Sequence, residues 1–133
     1  MKKSIKFGFA AIAAVAIFLS SCGKYEEGPK ISLASKKGRL CREWTLEKYV
    51  DGATGVETPC TSSCGSTEYK KDGSIYDNGV SVAGYTWQFS SDKEKLEIVW
   101  GSITYSETIL RLTSKELWLK DVSSGDQSHY KAK

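Results

Sequence analysis

From Trp44 onward, apolar and polar residues alternate along the chain with a period of two. Before that point one helical spacing stands out: Leu33, Lys36 or Lys37, and Leu40 lie one turn apart, which predicts a short helix within residues 33–42. Gly38 inside it costs about 1 kcal/mol relative to Ala, so the helix is expected to be short. Period two then takes over. Trp44, Leu46, Lys48 and Val50 alternate with Thr45, Glu47 and Tyr49, and further strands are expected over 66–71 and 74–77. Asp51-Gly52, Asp72-Gly73 and Asn78-Gly79 supply the turns. Tyr85, Trp87 and Phe89 share one face, as do Leu96, Ile98 and Trp100. Residues 103–112 break the alternation: Tyr105, Glu107, Ile109 and Arg111 oppose Leu110 and Leu112, and a bulge near Thr108 would repair the facing. In 116–121, Leu117 and Leu119 oppose Trp118, and 127–131 forms the last strand. About eight strands at intervals of roughly 8–12 residues predict an all-β antiparallel sandwich or barrel, preceded by a short N-terminal helix. Helices long enough for parallel α/β crossovers are absent from the pattern.

The segment ahead of the domain reads differently. Lys2, Lys3 and Lys6 precede an apolar run from Phe7 to Leu19, too short for the roughly 20 residues a spanning helix needs, so residues 1–21 are expected to be a secretory signal that is removed. Leu19-Ser20-Ser21-Cys22 resembles the lipobox of bacterial lipoproteins. That resemblance implies cleavage after Ser21 and acylation of Cys22, with the membrane as partner through its acyl chains.

Removing residues 1–21 from the 133 leaves 112, enough for one domain. Three of the 19 Lys and Arg leave with the signal, so 16 basic residues face 16 acidic ones. With no net positive charge, a nucleic-acid partner is not expected. The basic run of Lys30, Lys36, Lys37, Arg39 and Arg42 reads as a solvated tether and helix face, with a patch for lipid phosphates as the alternative. Residues 22–38 are expected to be a lipid-anchored linker running into the helix, and 39–133 the β domain. Lys24, Glu26 and Glu27, directly after Cys22, resemble the short Lys/acidic export tag of Bacteroidetes lipoproteins, which implies the outer membrane and its exposed face. An ordinary charged linker, and the periplasmic face, are the alternatives.

Leu40-x-x-x-Trp44 after a short helix, the run Gly84-Tyr85-Thr86-Trp87-Gln88-Phe89-Ser90-x-Asp92-Lys93, and Ile109-Leu110-x-Leu112 followed by Leu117-Trp118-Leu119 are similar to the small lipocalin-like lipoproteins common in Bacteroidetes. The resemblance implies an up-and-down eight-strand lipocalin-like barrel. It does not imply one ligand, because fold and function separate readily. One departure is Arg42, where lipocalins usually place Gly two residues before the first Trp.

Candidate chemistry is sparse, and neither catalysis nor a cofactor is expected. His129, the only histidine, is expected on an edge strand facing solvent, without the nucleophile and orienting group that a triad requires. Glu97 and Glu107 read as an outward strand residue and a barrel-rim residue rather than a catalytic carboxylate pair. Cys60 and Cys64 are expected to form a local disulfide; pairing of either with Cys41 is the alternative, and a zinc site lacks the usual spacing. Trp44, Leu46, Tyr85, Trp87, Phe89, Leu96, Ile98 and Trp100 are the candidate cavity-lining residues. They would either line a pocket for a small hydrophobic ligand or simply fill the interior, since eight strands leave room for little more than side chains. A small-molecule binding module and an interaction protein docking a partner through its loops or outer face are therefore the two expected functions.

Overall fold

The computed structural model describes residues 35–133. Helix α1 (Lys36–Leu40) precedes β1 (Glu43–Val50), β2 (Glu57–Pro59), β3 (Ser66–Tyr69), β4 (Ser74–Asp77), β5 (Val80–Phe89), β6 (Lys95–Trp100), β7 (Ile103–Leu112), β8 (Glu116–Asp121) and β9 (Gln127–Ala132). The expected signal, Cys22 and the residues of the expected export tag, Lys24, Glu26 and Glu27, lie outside the described residues.

All nine strands belong to one antiparallel sheet in which β1 also pairs with β9, so the sheet closes into a ring. The expected count of eight is corrected to nine. The extra strand is β2, which pairs with Lys48–Val50 while β3 pairs with Glu43–Thr45 on the same edge of β1. The ring itself passes through β1 and β3–β9. The additional strand, β2, is three residues long and wholly exposed, so it carries no alternation to read.

Helix α1 is capped by the Ser35 side chain, which accepts from the Gly38 N–H, and it covers one end of the ring. Leu40 and Trp44 are completely buried there, and the Trp44 indole N–H donates to the Leu40 carbonyl at 2.9 Å. Arg42 lies over the Trp44 ring and donates to the Ser114 carbonyl, tying the start of β1 to the β7–β8 turn. Leu96, Leu112, Leu117 and Leu119 complete the tight core. Each contributes about 1.5–3 kcal/mol by leaving water.

Two irregularities decide which side chains face inward. A register shift between Leu46 and Lys48 follows two inward residues, Trp44 and Leu46, and leaves Lys48 on the outer face. Lys48 and Val50 therefore do not continue the inward set as simple alternation requires. A second shift, between Ile109 and Arg111, leaves Leu110 exposed and restores Leu112 to the core. The bulge is thus real but lies beyond Thr108. Across the wall the consequence is regular: Leu46, Tyr130, Leu117 and Leu112 are successive inner partners, and Lys48, His129, Trp118 and Arg111 successive outer ones.

Candidate ligand-binding mouth

The end of the ring away from α1 is open. Two depressions lie there on the inner face. One, of about 440 Å³, is lined by Tyr49, Thr58, Glu107, Asp121 and Ser128 with the adjoining turns; the other, of about 370 Å³, by Tyr69, Ile75, Asp77, Val82, Tyr85 and Ile98. Gly84, with φ +81, explains how Val82 and Tyr85 line the same depression although three residues apart. The left-handed residue shifts the facing of β5, at no steric cost for glycine. A Cβ there would meet the Trp100 side chain at 3.5 Å.

Glu107 is the chemically unusual group. Its register partners are Leu96 on β6 and Asp121 on β8, which turns the carboxylate into the ring. No described residue donates a hydrogen bond to it. Burial, and then the Asp121 charge, push its carboxyl up to about 7. Tyr130, pushed up to about 12, and Tyr69, raised well above the usual phenol range, are shifted first by burial and next by Glu107. One carboxylate therefore influences two phenols, on β3 and β9, the two ring strands that flank β1. The remaining acids around the mouth have local work. Asp51 accepts from Ala53 and Thr54, Asp121 from Ser123 and Ser124, and Asp126 from the Gly52 N–H, each bond tying down a turn.

The eight candidate cavity residues fall into two groups. Trp44 and Leu96 are completely buried and Trp87 nearly so, so they fill the helix end rather than line the mouth. Leu46 and Phe89 are half-buried and line neither depression. Tyr85 and Ile98 do line one. Trp100 is 45% exposed, which corrects its place in an inward set: it stacks on Tyr85, centroids 5.5 Å apart, at the rim. Alternation reports which face a residue takes, not its depth along the ring, and Trp100 sits at the open limit.

One further expectation is overturned. His129 is buried and lies on β9, which is paired on both sides, so it is neither on an edge nor facing solvent. Glu107 is half-buried and lines the open mouth, in keeping with a rim position, and sequence reasoning missed its raised carboxyl. Its signal was an acid sharing a strand face with Tyr105 and Ile109. Cys60 and Cys64 are joined by a disulfide with Cα atoms 5.7 Å apart, closing the excursion between β2 and β3. Cys41 is free and half-buried, its thiol pushed up by that burial. Among the described residues no cluster of three metal-ligating side chains occurs, and no helix is long and apolar enough to cross a membrane.

Together these features define an all-β domain with a filled, helix-covered end and an open, polar and aromatic mouth. Profiles of known protein families, curated proteins and solved structures give no match to the chain.

Proposed function

We propose that this chain is an acylated outer-membrane lipoprotein, anchored through Cys22, whose lipocalin-like up-and-down barrel binds a small ligand in its open mouth without transforming it. The observation that carries the reading is Glu107: a half-buried carboxyl, without a hydrogen-bond donor among the described residues, that lines a depression of about 440 Å³. Burying such a group unpaired is costly, and a ligand that supplies a donor recovers that cost. The fitting ligand has an apolar or flat body to lie against Tyr85 and Ile98 and an N–H or O–H group for Glu107. The interaction-protein alternative draws on the exposed rim, where Val80, Trp100, Ile103 and Tyr105 stand out of the sheet.

Native mass spectrometry of the protein extracted from its own membranes tests the reading. A co-purified small-molecule adduct is expected, and Glu107→Gln should weaken it. A bare protein that retains a protein partner through its rim would favour the alternative. The anchor is tested separately: Cys22→Ser should accumulate as unprocessed, unacylated precursor. Replacing Lys24, Glu26 and Glu27 by Ala should protect the protein from protease added to whole cells, if those residues direct it to the exposed face.

A further inference from the structure

The charges of this domain are sorted along the ring axis. The helix-covered end is built from residues 36–43, 68–74, 90–95, 113–116 and 131–133, which carry eleven Lys and Arg against six Asp and Glu. At the open end, residues 48–58, 77–80, 98–105 and 119–127 carry two against five. Four of the basic residues lie in the run over 36–42, and closure of the ring gathers the other seven beside them.

The acids at the helix end are largely engaged within the domain. Glu43 accepts from Lys133 and Ser66, and Glu68 from Lys70. Asp72 accepts from Ser74, and Asp92 from Ser90 and the Glu94 N–H, each holding a turn. Lys37, Lys71 and Lys115, by contrast, form no ion pair among the described residues. Lys37 and Lys71 come from α1 and the β3–β4 turn, and both flank a depression of about 260 Å³. The chain also enters the domain here, since Ser35 caps α1.

We propose that the helix-covered end docks on the anionic lipid headgroups of the membrane that holds the anchor, so that the mouth points away from the bilayer. The inference rests on the anchored reading, because the tether from Cys22 brings this end to the surface. Lysines held within a Debye length of about 8–10 Å of anionic lipid each strengthen binding about fivefold, and the acidic mouth is repelled by the same field. Acyl attachment alone would leave orientation free, whereas the basic end fixes it.

The test uses the chain from residue 23 onward, which has no acyl group and retains every contact of the ring, all of them within residues 35–133. It is sedimented with vesicles of equimolar phosphatidylglycerol and phosphatidylcholine, and with pure phosphatidylcholine. Binding is expected only to the anionic vesicles and should fall steeply on raising salt from 0.05 to 0.5 M (about a threefold contraction of the Debye length). Lys37→Ala, Lys71→Ala and Lys115→Ala together should weaken it about a hundredfold. Lys48→Ala with Lys120→Ala, at the other end, should change it little. Equal binding to both vesicle types, no binding to the anionic ones, or equal loss in the two variants would overturn the proposal. Failure of Cys22 processing in cells would instead remove the anchor and leave the vesicle result standing, so the two failures are distinguishable.

Discussion

The indole of Trp118 lies flat on the imidazole of His129, with ring centroids 4.2 Å apart and planes 5° from parallel. The Arg111 guanidinium lies over the same indole at 4.6 Å, so cation, indole and imidazole form a stack across three neighbouring strands on the outer face. His129 Nε2 meets Gln127 Oε1 at 3.0 Å, which assigns the ring proton to Nε2, and burial holds the imidazole below its usual range.

Removing that cover should change a titration. In Trp118→Ala, His129 is expected to move up toward its usual 6.5, and the protein to lose about 1–2 kcal/mol of stability through the lost stack. Proton NMR of the only imidazole in the chain reads the first effect, and urea denaturation the second. An unmoved titration would show that another group desolvates the ring. The sign is fixed by the depression: His129 contributes stability above its unfolded value, and that contribution is lost as pH falls through the folded one.

Trp87→Ala should cost more, about 3–5 kcal/mol, because it empties a core position. Trp87 is 6% exposed, donates to the Lys70 carbonyl at 2.8 Å, and meets Tyr69 and Phe89 edge to face. Measuring it beside Trp118→Ala compares an inner with an outer tryptophan. If the outer one proves the more damaging, the facing of β8 is wrong.

Glu107 gives the opposite pH dependence to His129. Its carboxyl is raised from 4.5 to about 7, so the folded protein holds a proton that the unfolded chain has released. This contribution is complete below pH 4.5 and is lost as pH rises through 7, amounting to about 3 kcal/mol across the window. Glu107→Gln should therefore flatten the fall in stability between pH 5 and pH 8 relative to the parent, as followed by denaturation at each pH. Parallel curves would place the carboxyl in water.

The Cys60–Cys64 bridge should stabilise the fold less than a disulfide closing a longer loop would. Its sequence separation is four, and a loop of that length restricts the unfolded chain by about 2 kcal/mol, against about 3 kcal/mol for 15 residues. Non-reducing peptide mapping should recover the two in one linked fragment, with Cys41 alkylated after denaturation. A link from Cys41 to either would overturn the pairing.

Much of the wall was legible because period-two alternation follows from backbone geometry alone. Tyr85, Trp87 and Phe89 with Leu96, Ile98 and Trp100 were paired on one face, and the register of β5 with β6 places them so. Asn78-Gly79 marks its hairpin because both residues adopt positive φ, +50 and +79, as a two-residue turn of this twist requires. The mouth was hardly legible. Six of the eight residues proposed to line a cavity do not line either mouth depression, and the local pattern does not by itself mark the Glu107 carboxyl as raised.

What the sequence by itself determined is the local alphabet of this protein: a short capped helix, strands of alternating facing, and turn dipeptides. Each of these depends on neighbours within a few positions, where the chain's covalent geometry acts directly. Only the tertiary structure decided how deep each inward residue lies, because depth depends on where a strand sits along the ring and on bulges at Glu47 and Leu110 that shift its facing. Closure also brought Lys37, Lys71 and Lys115 to one end and put the Glu107 charge within reach of Tyr69 and Tyr130 across the ring. Those groups are separated by tens of residues in the chain, and charge acts through space rather than along it.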